Sequence, residues 1–332
     1  MRLAATFAVL AIALGLAACG EKEEDLSGSA EPTKIDLALD FYVNPDHAGI
    51  YMALQQGYFE RAGLDVQPQV PSDPSAPIRQ VAAGRAELAI SYEPEVLLAR
   101  KQGLDVVAVA ALVDEPLTSL ISLPRAGIAK PADLRGKTVA TAGIPYQSDY
   151  LGTILAGAGL AATDVSEVNV GFNLLPALLG GQADAILGGF RNVEGVDLAQ
   201  RGESPSVVPV DELGVPTYDE LVLVAERSAV DDQAEELRLF ISALAKGTAD
   251  AVDDPRAATE AVLAAGQGLD PALTRAEIDA TLPLLAKSEK EEFGAMNPEE
   301  WELFASWMAD NALIDEVPSA SDVLTNELLP PG

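Results

Sequence analysis

The sequence predicts an α/β protein of two lobes, joined by two crossings of the chain around a central cleft. Between residues 35 and 123, strand-like segments alternate with helices that end at glycines. The same succession starts again after Pro124, and from residue 232 onward the segments are helical. Late helices must pack on a sheet already built. We therefore assign residues 34–123 and 224–332 to lobe 1 and residues 124–223 to lobe 2.

In lobe 1, the alternation of Ile35, Leu37, Leu39 and Phe41 predicts the first strand. Asn44-Pro45 is typical of a helix start, with asparagine as the N-cap and proline at the first helical position. The remaining pattern predicts helices over 76–83 and from Glu93-Pro94 to about 103, and strands over 88–91, 106–111 and 118–123.

Lobe 2 repeats this pattern with shorter elements. Apolar runs bounded by glycines predict strands over 138–141, 167–170 and 185–187 and helices over 148–158 and 174–179. A strongly apolar strand over 221–225 then leads to the late helices, over 232–252, 255–265, 271–285 and 298–311. Alternating strands and helices favour a sheet rich in parallel pairs.

Composition excludes several classes of protein. The 332 residues are 48% hydrophobic, enough to bury a sizeable core, so the chain is not disordered as a whole. Lys and Arg number 21 against 52 Asp and Glu, and the net charge of -31 repels nucleic acid phosphates. One Cys forbids an intramolecular disulfide, and one His removes most histidine-based metal and triad chemistry. We expect no cofactor, no metal site and no enzyme activity.

The N-terminus predicts export. Arg2 precedes an uncharged stretch over 3–18, which is too short for a comfortable membrane span but typical of a signal peptide. The stretch ends in Leu-Ala-Ala before Cys19, which resembles the lipobox of bacterial lipoproteins. Residues 1–18 are thus a predicted signal peptide and 19–33 a lipidated tether without apolar periodicity. We expect a globule held by lipid on Cys19 outside the cytoplasmic membrane.

Ligands of two-lobed α/β proteins bind between the lobes, at the carboxyl ends of strands. The residues that follow the predicted strands are unusually aromatic, and four acidic side chains accompany them. Flat rings on both sides of a slot favour a planar heteroaromatic ligand, and carboxylates accept hydrogen bonds from ring amino groups. The candidate ligand-binding residues are Asp40, Phe41, Asn44, Asp46, His47, Ser91, Tyr92, Glu93, Tyr146, Phe172, Phe190, Asn192 and Glu194.

Several of these residues also have a purely structural interpretation. Asn44-Pro45-Asp46 is fully explained as a helix start with a carboxylate near the positive end of the helix dipole. Glu93 can be a helix-entry residue, and Tyr92 and Tyr146 can belong to the core. The pairs 180–181 and 188–189 are Gly-Gly and fit turns, and no phosphate-binding glycine motif is present.

Longer segments resemble one family. Residues 39–59, 71–100, 168–195 and 211–225, which include the motifs NPDH, SYEPE and GGFRNVE, are similar to the substrate-binding lipoproteins of ABC importers that take up thiamine pyrimidine precursors. The resemblance implies a bilobed type II periplasmic-binding-protein fold that closes on its ligand, an ABC permease as partner, and a monomer.

The resemblance also implies which residues line the pyrimidine site: Phe41, Asp46, His47, Ser91, Tyr92, Glu93, Tyr146, Phe190, Asn192 and Glu194. Relatives usually have Trp where Phe41 stands and often Trp where Arg191 stands, so the stacking walls are altered. Relatives with similar NPDH and SYEPE motifs resemble riboflavin-binding proteins. The favoured ligand is therefore a hydroxymethylpyrimidine or formylaminopyrimidine, with riboflavin as the alternative.

Two further alternatives come from other classes. Fungal relatives are iron-dependent enzymes that make the pyrimidine with a cluster of cysteines, whereas this chain has no cysteine beyond Cys19. Relatives that bind sulfonate, nitrate or taurine need Arg, Lys or free backbone N–H groups facing an anion. Arg191 is the only basic residue at the strand ends, whereas Asp40, Asp46, Glu93 and Glu194 are acidic, so an anion would meet net repulsion.

Overall fold

The computed structural model describes residues 31–286 and 292–330, and the predicted signal peptide and Cys19 lie outside them. The strands of this part of the chain are β1 (Thr33–Ala38), β2 (Leu64–Gln69), β3 (Leu88–Ser91), β4 (Val106–Val113), β5 (Thr118–Ser122), β6 (Thr138–Thr141), β7 (Ser166–Asn169), β8 (Ala185–Phe190), β9 (Ser206–Pro209) and β10 (Leu221–Glu226).

The helices cover the sheets and fill the C-terminal part of the described chain. They are α1 (Ala48–Gln55), α2 (Tyr58–Arg61), α3 (Pro77–Ala82), α4 (Glu93–Lys101), α5 (Pro145–Gly157), α6 (Leu174–Leu179), α7 (Glu194–Gln200), α8 (Ala229–Asp232), α9 (Ala234–Asp253), α10 (Pro255–Ala265), α11 (Pro271–Leu285), α12 (Pro298–Asp310) and α13 (Ala320–Val323). Short 3-10 turns occur at Pro45–His47, Pro124–Ala126, Pro131–Leu134, Ala162–Asp164 and Val210–Leu213.

Two five-stranded sheets organise the described residues, and they share one strand pattern. The first sheet has the order β2-β1-β3-β10-β4 and the second the order β7-β6-β8-β5-β9. In each, a central parallel set is interrupted by one antiparallel strand, β10 in the first sheet and β5 in the second. Both antiparallel strands follow a crossing between the sheets, so each enters its sheet from the opposite direction.

The pairing of β5 differs from the predicted lobe boundary. We had placed residues 118–123 at the end of lobe 1, but Thr118–Ser122 pairs with β8 and β9 in the second sheet. The second boundary, after residue 223, falls inside β10, which belongs to the first sheet throughout. The sequence of a buried strand does not indicate which sheet the strand will join, because both cores accept the same side chains. The helices α9, α10 and α11 pack on α1 or on one another, as expected of elements added to a finished sheet.

The core runs through both sheets. Every residue of β3, β4 and β5 is buried, as is nearly all of β10. Burial on both faces explains the continuous apolar sequences of β4 and β10. The first helix of the first sheet begins as a 3-10 turn: the Asn44 side chain accepts from the Asp46 N–H at 2.8 Å, and Pro45 occupies the next position. This turn places Asn44 and His47 beside the carboxyl end of β1.

Within the described residues, no helix is long and apolar enough to cross a membrane.

Candidate functional site

A cavity lies where the carboxyl ends of strands from both sheets meet. Its empty space, open mouth included, amounts to about 390 Å³. Residues that follow β1 and β3 of the first sheet form one side, and residues at the ends of β6 and β8 of the second sheet form the other. The lining residues are Asp40, Phe41, Asn44, Tyr92, Ala142, Ile144, Tyr146, Gln147, Gly188, Phe190, Val193 and Glu194.

Asp40 is the central acceptor on the side of the first sheet. It is buried, and both of its carboxylate oxygens are engaged: Oδ1 lies 2.8 Å from His47 Nε2, and Oδ2 accepts from the Tyr92 hydroxyl at 2.9 Å. The Asn44 backbone N–H donates to His47 Nδ1 at 3.3 Å, which leaves the ring hydrogen on Nε2 to donate to Asp40. The histidine therefore orients the carboxylate from behind and does not line the cavity.

Glu194 is the corresponding acid of the second sheet. It opens α7, and its Oε2 accepts from the Phe190 N–H at 2.7 Å. Burial raises the pKa of Glu194 to about 7, against the opposing effect of backbone hydrogen bonds from Phe190 and Glu194. Near neutral pH this group can thus either accept a hydrogen bond as a carboxylate or donate one as an acid.

Aromatic rings from both sheets close around the cavity. Tyr92 packs edge to face against Tyr146 at 5.9 Å between ring centroids and against Phe190 at 6.5 Å. At the mouth, Phe41 packs against Phe172 at 4.7 Å, and the half-exposed Tyr42 lies 4.3 Å from the same ring. Phe172 is therefore at the rim, where it contacts the ring of the opposite sheet.

Asp46 and Asn192 meet beside the cavity. The Asn192 Nδ2 group donates to Asp46 Oδ1 at 2.7 Å and to Thr281 Oγ1 at 2.8 Å, and all three side chains are buried. Burial raises the pKa of Asp46 to about 7, although His47 and the hydrogen bond from Asn192 oppose the rise. These two predicted ligand residues connect the 3-10 turn after β1, the loop after β8 and α11, and neither lines the cavity.

The SYE triplet divides into different roles. Tyr92 lines the cavity, whereas Ser91 donates to Glu95 at 2.9 Å. The Glu93 Oε2 atom accepts from the Asp219 N–H at 2.7 Å, and Asp219 Oδ2 in turn accepts from Trp301 Nε1 at 2.6 Å. Glu93 thus holds the start of α4 to the segment before β10, which agrees with the helix-entry interpretation and places its carboxylate away from the cavity lining.

Arg191 lies outside the cavity lining. Its Nη2 group pairs with Glu115 Oε1 at 2.9 Å, beside the crossing that follows β4. The guanidinium, the one basic candidate at the strand ends, is therefore engaged away from the ligand space, and the lining residues carry two acids and no base.

Five lining residues are outside the list of thirteen candidates. Gly188 and Val193 belong to the GGFRNVE motif, whereas sequence reasoning missed Ala142, Ile144 and Gln147 altogether. They lie in the connection between β6 and the first turn of α5, on either side of the predicted Tyr146. The predicted helix began at 148, three residues late, which hid Gln147 inside a loop. The Pro145 that starts the helix was the available signal.

The two-sheet fold, with a cavity at the strand ends between the sheets, is that of periplasmic binding proteins. The alkanesulfonate-binding protein of Xanthomonas axonopodis, solved with bound MOPS, superposes with a TM-score of 0.71 at 16% identity, over 90% of this chain and 100% of that one. The chain belongs to the family described as NMT1/THI5 like, which matches residues 44–258.

Relatives of higher identity are named for thiamine pyrimidines. A Haemophilus influenzae protein named for thiamine biosynthesis is 36% identical over 282 residues, 85% of this chain and 88% of its own length. The formylaminopyrimidine-binding protein of Halalkalibacterium halodurans is 35% identical over 295 residues, 88% and 89% of the two chains. A pyrimidine phosphate synthase of Legionella pneumophila is 25% identical over 306 residues, 91% and 94%.

Proposed function

We propose that this protein is the extracytoplasmic solute-binding component of an ABC importer, and that it captures a thiamine pyrimidine precursor of the hydroxymethylpyrimidine or formylaminopyrimidine type. The observation that carries the proposal is the make-up of the cavity: rings and one carboxylate from each sheet surround the same space. An aminopyrimidine is flat and carries a hydrogen-bond-donating amino group, so stacking and acceptor groups suit it. The 35% identity to a formylaminopyrimidine-binding protein supports the same ligand class.

The mouth of the cavity favours a single ring over riboflavin. The contact between Phe41 and Phe172, with 4.7 Å between ring centroids, narrows this mouth. A three-ring flavin with its ribityl chain would require these two aromatic side chains to separate. The lining acids and the engagement of Arg191 by Glu115 disfavour a sulfonate or nitrate in the same space.

Binding without turnover fits this chain better than pyrimidine synthesis. The synthase alternative needs iron ligands, and the single histidine, His47, is already bonded through both ring nitrogens to Asn44 and Asp40. In residues 31–286 and 292–330, no group of three or more His, Cys, Asp or Glu side chains is placed to hold a metal. The residues of the site therefore do not fit an iron centre, and no step of the proposed function uses one.

The proposed mechanism is capture and delivery by a monomer. One chain supplies both sides of the cavity, so no second copy is needed to complete the site. The ligand enters between the rings, and closure of the two sheets buries it between Tyr92, Tyr146 and Phe190. The closed faces are then presented to the permease, which receives the ligand when the cavity opens.

A ligand panel tests the proposal. Calorimetry and thermal denaturation should be measured with 4-amino-5-hydroxymethyl-2-methylpyrimidine, formylaminopyrimidine, riboflavin, thiamine and taurine. A ligand present at 100 times its Kd adds about 2.7 kcal/mol to stability, and we expect this from an aminopyrimidine only. In Glu194→Ala the affinity should fall while the protein stays folded; Glu212→Ala, at an exposed position of the 3-10 turn Val210–Leu213, is the control. A stabilising effect of riboflavin or taurine without one of the pyrimidines would overturn the choice of ligand.

We also propose that Cys19 anchors the protein to the membrane by lipid. The cysteine directly follows the Leu-Ala-Ala end of the predicted signal peptide. Cys19→Ser should move the protein from the membrane fraction to the soluble fraction, and unchanged fractionation would contradict the anchor.

A further inference from the structure

Gln147 lines the cavity with an amide whose oxygen is held by a protein hydrogen bond and whose NH2 group has no protein acceptor among the described residues. Gln147, in the first turn of α5, is buried and lines the cavity. Its amide oxygen accepts from the Ala142 N–H at 2.9 Å. Because an N–H can be satisfied only by an acceptor, the oxygen must occupy that end of the amide, and the NH2 group lies at the other end.

The NH2 group rests on Gly188 of β8. A Cβ atom at position 188 would come within 2.3 Å of Gln147 Nε2. The backbone there has a φ of +109°, which residues other than glycine rarely adopt. The neighbouring Gly189 makes similar room on the acid side, since a Cβ there would lie 3.3 Å from Glu194 Cγ. Because Gly188 and Gly189 have no side chains, they leave room for the amide of Gln147 and the side chain of Glu194.

Two other side-chain donors of the cavity are already committed within the fold. The Tyr92 hydroxyl donates to Asp40, and the Asn44 amide donates to the Tyr42 carbonyl at 3.1 Å. In residues 31–286 and 292–330, no hydrogen bond uses the NH2 group of Gln147. This NH2 group is therefore available to a ligand, beside acceptors supplied by Asp40 and Glu194.

We propose that Gln147 determines which flat ring the site accepts, by donating its NH2 hydrogen to an unprotonated ring nitrogen while the carboxyl groups accept from the exocyclic amino group. The proposal rests on the proposed function and adds to it a requirement for a nitrogen acceptor in the ring. A ring with C–H at that position leaves the buried donor unsatisfied, which costs more than a missing contact alone.

The experiment compares three ligands on the full-length protein by calorimetry. They are 4-amino-5-hydroxymethyl-2-methylpyrimidine and the two aminopyridines in which one or the other ring nitrogen is replaced by C–H. We expect wild type to bind one of the aminopyridines about tenfold or more weakly than the pyrimidine. Gln147→Met keeps the length of the side chain but removes the whole amide, both the NH2 donor and the oxygen that accepts from Ala142. In this variant that difference should disappear. Gln182→Met, at an exposed glutamine associated with the same sheet, should retain it.

Each outcome decides between the proposals. If wild type binds the pyrimidine and both aminopyridines with equal affinity, the proposed role of Gln147 is wrong and the proposed function stands. The same conclusion follows if Gln147→Met is folded and retains the wild-type preference. If Gln147→Met does not fold, the comparison of the three rings on wild type still decides. Failure of wild type to bind any of the three overturns the role of Gln147, and failure to bind formylaminopyrimidine as well overturns the proposed function.

Discussion

At the scale of single residues, the candidate site depends on one side chain that does not line the cavity, His47. Asp40 faces the cavity, but its orientation is fixed by His47 and Tyr92, and His47 is in turn fixed by the Asn44 N–H. A carboxylate held by two donors is placed more accurately than a free one, and it retains lone pairs for a ligand. The single histidine of the chain thus has a positioning role.

Removal of the Tyr92 hydroxyl tests this arrangement. Tyr92→Phe keeps the ring contacts with Tyr146 and Phe190 but leaves Asp40 Oδ2 without its donor. We expect the free energy of unfolding to fall by about 1–3 kcal/mol and ligand affinity by about tenfold. Urea denaturation and calorimetry measure the two effects. Tyr58→Phe, which removes a hydroxyl that donates to Asp250 between α2 and α9, should leave ligand affinity unchanged.

At the scale of elements, hydrogen bonds to the buried Glu220 connect the two chain segments that cross between the sheets. Glu220, just before β10, accepts from the Leu117 N–H at 2.8 Å and from the Thr118 N–H at 2.7 Å, both at the start of β5. The hydroxyl groups of Thr118 and Tyr218 donate to it at 2.9 Å each. Burial raises the pKa of Glu220, while these donors oppose the rise. The two chain segments between the sheets therefore behave as one unit.

Glu220→Gln is expected to weaken this connection. The amide replaces one acceptor oxygen with an NH2 group that faces donors, so at least one buried N–H or O–H loses its partner. We predict a loss of about 1–3 kcal/mol in unfolding free energy, measured by urea denaturation. Thr118→Val, which removes one of the four donors, should cost less than Glu220→Gln. Equal stability of Glu220→Gln and wild type would show that the acid does not hold the crossings.

At the scale of the whole molecule, the two sheets are also held together at α11. Asn192, after β8, donates to Asp46 of the first sheet and to Thr281 of α11. The same helix packs on α7 and on the 3-10 turn Pro45–His47. The closed arrangement around the cavity therefore has a polar contact that would break when the sheets separate.

Asn192→Ala should shift the molecule toward an open form. The variant removes both hydrogen bonds and leaves Asp46 buried with less compensation. We expect a larger radius of gyration by X-ray scattering without ligand and a faster ligand off-rate by stopped flow. The control is Asn311→Ala, where the amide donates to the Trp307 carbonyl at an exposed helix end. A radius and an off-rate equal to wild type would argue against a closing role for Asn192.

The buried acids predict how stability depends on pH. Burial raises the pKa of Asp46, Glu95 and Glu194 to about 7 and that of Glu277 to about 8, from ordinary values of 3.8 for Asp and 4.5 for Glu. Folded groups with raised pKa hold protons that the unfolded chain releases. Their contribution is therefore complete below about pH 4 and is lost as the pH rises toward 8.

We expect the melting temperature to fall as the pH rises from about 5 to about 8, measured by calorimetry in buffers of equal ionic strength. Asp46→Asn should reduce this slope, because the amide carries no charge to bury at high pH. Asp211→Asn, at an exposed position, should leave the slope unchanged. A melting temperature that stays constant over this range would contradict the pKa shifts.

The sequence by itself determined the α/β class, most element positions and the strand ends at which the cavity lies. Local rules were sufficient there, because capping residues, glycine stops and apolar periodicity act over a few positions, as at Asn44-Pro45 and over 174–179. Seven of the thirteen candidate residues line the cavity, since the carboxyl ends of parallel strands share one edge of a sheet.

The tertiary structure alone decided which sheet each apolar strand joins and which polar side chains face the ligand space. Thr118–Ser122 enters the second sheet, where it pairs with β8 and β9. Both partner strands lie far along the chain, so a local sequence pattern does not reveal the pairing. Glu93 and Asp46 turn to Asp219 and Asn192, whereas Gln147 turns to the cavity. The orientation of these side chains depends on hydrogen-bond partners from distant segments of the chain, and local sequence patterns do not reveal those partners.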